Sequence, residues 1–289
     1  MNFEEAVRGK KFLVTTELGP PKGTDLSDLL EDADRVRGRV DGMNVTDCQG
    51  SVLKASSLSV CVKLLEKKFE PILQVSCAGR NRLALQSDLL GASILGVRNV
   101  LVLTGDPPHI GDHPEAKPVF DLDSITLMKI IRGFGEGDGQ DMMGSALKGK
   151  SHFCVAAAAN PGAKDLKVEF EKTKAKVEAG AHFFQTQAVF EPEAFKTFMD
   201  TLAPLHVTLL CGVIQLKSVK MAEHLNKIPG IHVPGALVDE IDKAEDKRKK
   251  SIEITARLVR AVKPYCRGVH IMCIGGLRDL PAILDEAGL

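Results

Sequence analysis

Glu17, Asp47, Asp106 and Gln187 each stand where a short apolar run gives way to glycine, proline or polar residues. The clearest case is Asn99-Val-Leu-Val-Leu-Thr-Gly-Asp-Pro-Pro108. Its apolar stretch shows no polar alternation, as expected of a strand covered on both faces. Gly105 then permits close approach of the backbone, and Pro107-Pro108 forbid both further strand and an immediate helix. Asp106 is thereby placed at the carboxyl end of a parallel strand, where ligand sites of α/β folds lie. Other runs stop in the same way, at Thr16-Glu17-Leu-Gly-Pro-Pro21, Thr46-Asp47, Gln74-Val-Ser76-Cys77, Ala159-Asn160-Pro161 and Gln185-Thr186-Gln187. Carboxylates and amides gathered on one apolar rim suit a heteroaromatic ligand with N–H and C=O edges. Histidines with metal-ligand spacing, a glycine-rich phosphate loop after the first strand, and a nucleophile elbow are all missing. Each residue alone also has a structural role open to it. Glu17 and Asp106 suit turns, Gln187 a structural amide, and Asp47 an N-cap for the next helix, which is preferred there over a ligand role. Met142 and Met143 are expected to fill gaps in the core.

The elements that must position these groups follow a regular beat. Strands are expected at residues 12–16, 43–46, 72–77, 100–103, 153–158, 183–186, 207–211 and 269–274. Helical periodicity falls between and after them, at 26–36, 52–67, 83–95, 125–134, 166–179, 192–202, 219–227 and 280–287. Eight βα units predict an α/β fold of the (β/α)8 TIM-barrel type, one domain spanning residues 1–289. Aromatic residues make up 4% of the chain and tryptophan is absent, so small branched side chains must fill the barrel. Two departures are expected: a glycine-rich insertion from 133 to 139, continuing to Lys150, and an extra helix over 238–262 before the last strand.

Composition narrows the function further. Lysine and arginine total 38 and aspartate and glutamate 38, so no net field draws the chain to nucleic acid or an anionic membrane. The lysine-rich run at 242–250 also carries acids and reads as a solvated helix face. No stretch of about 18 apolar residues occurs and the first 20 residues lack a signal core, so a soluble, cytoplasmic protein is expected. Seven scattered cysteines without a CxxC pair suggest reduced, buried thiols rather than disulfides or a metal site.

The string Thr15-Thr-Glu-Leu-Gly-Pro-Pro21 resembles the first strand of the methylenetetrahydrofolate reductase family, a glutamate followed closely by two prolines. Three further stretches are similar and in order: Asn99–Pro108 with its Gly-Asp and prolines, Lys176-Val-Glu-Ala-Gly-Ala181 through Thr186-Gln-Ala-Val-Phe190, and Cys211-Gly-Val-Ile214. The resemblance implies a flavin-containing barrel, with FAD and FMN both open, that reduces methylenetetrahydrofolate to methyltetrahydrofolate. It places the general acid at Glu17, a carboxylate beside flavin and pterin at Asp106, and a substrate-contacting amide at Gln187. Flavin contacts would fall on Ser76, Gly105, Asn160 and Lys176, with Ala158 or Ala159 replacing the usual tyrosine. Opening the substrate's five-membered ring needs a proton on a weakly basic nitrogen, which a carboxylic acid held near working pH can supply. Val219 stands where pyridine-nucleotide-dependent members carry a stacking phenylalanine. The stretches at 105–112 and 119–124, with the glycine-rich insertion, resemble the short reductases of acetogens and other anaerobes. That implies electrons delivered by a partner subunit carrying zinc or iron–sulfur centres rather than by NADH. The competing readings are a pterin- or corrinoid-associated methyltransferase on the same barrel and a folate-binding subunit.

Overall fold

In the computed structural model, which describes residues 2–135 and 139–289, all eight expected strands form. They are β1 (Leu13–Leu18), β2 (Gly42–Val45), β3 (Pro71–Ser76), β4 (Asn99–Leu103), β5 (Cys154–Ala159), β6 (Phe183–Ala188), β7 (Leu209–Ile214) and β8 (Gly268–Met272). They pair in parallel and in chain order, and β8 closes on β1 to complete the barrel. The helices are α1 (Phe3–Gly9), α2 (Ser27–Arg35), α3 (Ser57–Glu66), α4 (Arg82–Ile94), α5 (Ser124–Gly135), α6 (Leu166–Glu178), α7 (Pro192–Leu202), α8 (Val219–Leu225), α9 (Gly235–Asp242), α10 (Lys247–Val262) and α11 (Leu280–Ala287). Several of their starts are fixed by side-chain caps. Asn81 accepts from Ala84, Asp165 from Lys167 and Val168, and Ser218 from Met221, each relieving an orphan amide of the first turn.

Barrel and helical shell share one apolar core, but the barrel's lower interior forms a separate cluster. There Leu13, Ile72, Leu101, Cys154, Ala156, Phe183 and Leu210 meet Phe3, Ala6 and Val7 of α1. The sequence reading did not anticipate α1. It is a seven-residue helix started by a capping box between Asn2 and Glu5, and it plugs the amino-terminal end of the barrel. Phe3 meets the Phe183 ring edge-on with centroids 5.4 Å apart. Gly42 makes room for it, since a Cβ there would lie 2.8 Å from the Phe3 ring.

Four expectations are corrected. The single extra helix over 238–262 is two helices, α9 and α10, broken where Asp246 caps Lys249. The helix expected over 52–67 begins only at Ser57. A 3-10 turn (Gln49–Ser51) precedes it, and the Leu53 and Ala55 amides are spent on Asp112 and the Pro21 carbonyl. Asp47 caps no helix. Met142 and Met143 fill no gap, being 73% and 91% exposed. In the glycine-rich insertion, Glu136, Gly137 and Asp138 lie outside the described residues, and 139–150 contributes one isolated bridge, Gln140 to Ala146. No described helix is long and apolar enough to cross a membrane.

Candidate active site at the barrel mouth

A cavity of about 690 Å³ opens at the carboxyl ends of the strands. Glu17, Asp106, Gln187, Ser76 and Gly105 all line it, so five of the seven expected site residues converge. Leu101, Leu103, Ala158 and Met272 supply an apolar wall. Asn160 and Lys176 are not among the lining residues. They brace the end of β5 from behind: Lys176 Nζ donates to the Ala158 carbonyl at 2.6 Å, and the Asn160 amide donates to buried Glu169 at 2.9 Å. Burial lowers the Lys176 ammonium pKa from its ordinary value, and the Glu169 charge opposes that shift.

Pairing register explains which groups reach the cavity. Glu17 lies opposite Asn44, Ser76 opposite Leu103, and Ala158 opposite Gln185, and all six line the cavity from inward positions of their strands. Gln187 arrives differently. The β6–β7 register shifts between Gln185 and Ala188, a local irregularity of the kind that re-aims side chains at active sites. Thr186 fixes it by donating to the Gln187 carbonyl at 2.7 Å while accepting the Gly212 amide at 2.8 Å. Any Cβ on Gly212 would stand 2.3 Å from the Thr186 carbonyl oxygen, which accounts for glycine in the Cys211-Gly-Val-Ile214 stretch.

Asp106 is clamped by the loop after β2. Its Oδ2 accepts the Gly50 amide at 3.1 Å, and its carbonyl accepts the Ser51 hydroxyl at 2.9 Å. Cys48 and Ser51 hold left-handed backbones in this loop, at φ 46° and 55°, so the clamp keeps two unfavourable residues in place. Lys22 bonds Asp112, which also accepts the Leu53 amide. These contacts hold the Asp112 carboxyl well below the usual range and tie the β1, β2 and β4 loops into one rim. Gly105 has φ 92° and passes so close to Ser76 that a Cβ would meet its Oγ at 1.9 Å.

Sequence reasoning missed two parts of the site: the partners of the rim residue Asp47, and a polar layer below it. Asp47 accepts the Ser76 amide at 2.9 Å and pairs with Arg80, which also bonds Asp88 at 2.9 Å. The second is a buried polar layer beneath Glu17 made by Thr15, Asn44, Gln185 and His270. Its signal is visible in retrospect as polar residues at every inward position of β1, β2, β6 and β8 just below the strand ends. Three carboxylates therefore line the cavity, and its one arginine is already doubly paired. Such a set of oxygen acceptors favours a ligand rich in N–H donors. The described residues hold no His, Cys, Asp and Glu group able to bind a metal. All seven cysteines are free. Five are buried, and burial pushes the Cys77 thiol up to about 11 and that of Cys273 to about 12.

An eight-stranded parallel barrel with an acid-rich, partly apolar cup at its carboxyl mouth belongs to the TIM-barrel class, whose sites lie at that face. The sequence profile of the family described as Methylenetetrahydrofolate reductase matches residues 2–288, and the chain belongs to that family. Methylenetetrahydrofolate reductase 2 of Schizosaccharomyces pombe is 26% identical over 94% of this chain and 45% of its own length. The 5,10-methylenetetrahydrofolate reductase of Escherichia coli is 25% identical over 52% of this chain and 46% of its own. The chain thus spans under half the length of these relatives. Among solved structures, a Clostridium thermocellum protein that binds two copies of 5-methyl-5,6,7,8-tetrahydrofolic acid superposes with a TM-score of 0.69. It is 14% identical, with 99% of this chain and 98% of that chain covered, and supports the fold.

Proposed function

We propose that this chain interconverts 5,10-methylenetetrahydrofolate and 5-methyltetrahydrofolate at the barrel mouth, with a flavin as the hydride carrier. The observation that carries the reading is the convergence of Glu17, Asp106 and Gln187 on one cavity, together with family membership. The Clostridium barrel binds a ligand of the same class.

The lining suits the flavin's ring. Leu101, Leu103, Ala158 and Met272 offer an apolar face, and Ser76 and the Gly105 backbone offer polar partners along one edge. Asn160 and Lys176 set the shape of the β5 end that borders it. When bound and reduced, the flavin supplies a hydride. Everything else falls to this chain's residues. Glu17 gives its carboxyl proton to the ring nitrogen of the substrate. The bond from that nitrogen to the one-carbon unit breaks, leaving a cationic iminium whose carbon accepts the hydride. Asp106, already held by Gly50 and Ser51, presents a fixed negative charge to the pterin's amino edge and to that cation. Gln187 offers both an amide N–H and a carbonyl to the substrate's polar edge.

The reading includes electron delivery to the flavin by a partner subunit carrying zinc or iron–sulfur centres. In support, Val219 packs on the core from the start of α8 and is not among the residues lining the cavity. The test is the visible spectrum of the full chain reconstituted with FAD or with FMN, before and after anaerobic methyltetrahydrofolate. Bleaching of the flavin band is expected. Tight folate binding by a chain that takes up neither flavin would overturn the reductase reading in favour of a binding role.

A further inference from the structure

The deepest polar layer of the cavity assigns a hydrogen to one nitrogen of His270. Gln185 Nε2 donates to Thr15 Oγ1 at 3.1 Å and to Asn44 Oδ1 at 3.1 Å, while its Oε1 accepts Asn44 Nδ2 at 2.6 Å. The amide's two hydrogens are then both engaged, so its third contact, 3.4 Å to His270 Nδ1, is secondary. Thr15 Oγ1, which accepts from Gln185, lies 2.9 Å from His270 Nδ1, and we assign its own hydroxyl hydrogen to that nitrogen. An imidazole whose Nδ1 accepts carries its hydrogen on Nε2. This assignment comes from the closed network rather than from an observed proton. Nε2 lies 3.7 Å from Glu17 Oε2, with the histidine side chain only 4% exposed. Register makes the arrangement rigid, because His270 and Thr15 are paired neighbours across β8 and β1.

We infer that His270 is the positioning residue for Glu17, which rests on the reading of Glu17 as general acid. An Nε2–H facing Oε2 across 3.7 Å, longer than a hydrogen bond, is placed to close on that oxygen once the carboxyl gives up its proton. When that proton passes to the folate nitrogen, the new carboxylate is met by an N–H already in place. The imidazole keeps its own hydrogen throughout, and no bond to it forms or breaks. Thr15, Asn44 and Gln185 act one step further back, locking the tautomer. A histidine that merely filled the barrel would have no preferred tautomer facing Glu17 and no coupling to it.

Two measurements on the full chain test this. Long-range ¹⁵N–¹H correlation spectra of ¹⁵N-histidine-labelled protein, with His270→Gln to assign the signal, report the tautomer without any turnover. The Nε2–H form is expected in the parent and its loss of preference in Thr15→Val; an Nδ1–H form in the parent overturns the inference. In the folate half-reaction of flavin-loaded protein, His270→Leu is expected to lower kcat roughly tenfold or more with KM little changed. His270→Gln, which restores an N–H, should recover much of that loss. In a Glu17→Gln background the same His270→Leu change should cost little more, since the two act as a unit. Equal losses in both backgrounds, or a loss in KM alone, would overturn the positioning role. Unimpaired turnover by Glu17→Gln alone would instead sink the general-acid reading, whatever the tautomer. Should His270→Leu fail to fold, the spectra of the parent and of Thr15→Val still decide.

Discussion

At the amino ends of the strands Leu13 and Phe183 pack in one cluster with Phe3, whereas two residues further along stand Thr15 and Gln185. Gly268, the inward residue at the start of β8, is likewise followed by His270. One repeat of the pleat, about 7 Å, separates an apolar plug from a hydrogen-bonded floor. The lower layer needs only shape and volume. The upper one must match every donor to an acceptor, because a half-satisfied buried network costs more than an apolar core. Stability and chemistry are thus assigned to successive rows of the same strands, and disturbing one row is expected to spare the other.

The largest effect expected from breaking that division is in the lower row. Phe3→Ala should cost about 3–5 kcal/mol of stability, because the ring is fully enclosed and glycine stands opposite it at Gly42. Chemical denaturation measures this, and methyltetrahydrofolate affinity of the folded fraction should be unchanged. Next comes the upper row. Glu17→Gln should slow the folate half-reaction at least roughly a hundredfold, about 2.7 kcal/mol in the barrier, while the melting temperature stays close to the parent's. Near-normal turnover would remove Glu17 from the chemistry.

The smallest effect concerns how the plug is pinned. Burial raises the Glu4 carboxyl's pKa, but the hydrogen bond and charge of His152 and the charge of Arg8 more than offset this, leaving it lowered. A lowered carboxyl contributes stability above its unfolded pKa and loses it as pH falls through the folded value. Glu4→Gln should therefore cost under about 1 kcal/mol near neutrality, and the difference in melting temperature should close in acid. A gap that persists in acid would mean the loss is packing rather than charge.

What could be read from the sequence follows the range of the interactions involved. Apolar runs bounded by glycine, proline or polar residues identify all eight strands, because burial on both faces is a local property of sequence. The rim groups Glu17, Asp106 and Gln187 were legible for the same reason. Asp47's place on the rim was legible too, but its role was not, since its partners Ser76 and Arg80 lie about thirty residues away and a capping rule looks only at the next turn. The layer of Thr15, Asn44, Gln185 and His270 is assembled from strands up to 255 residues apart, so no window along the chain contains it. α1 escaped because seven residues with two glutamates carry little periodic signal, and its burial is decided by the hole it fills.

That plug has a kinetic corollary. With α1 packed into the amino-terminal end of the barrel, the cavity faces outward at the carboxyl ends of the strands, so water displaced toward that face would leave by the side a ligand enters. Two flat ring systems sharing its axis would behave as a stack, the deeper one entering first and leaving last. For any such pair the order of entry would follow from the packed floor, independent of any affinity of one ligand for the other.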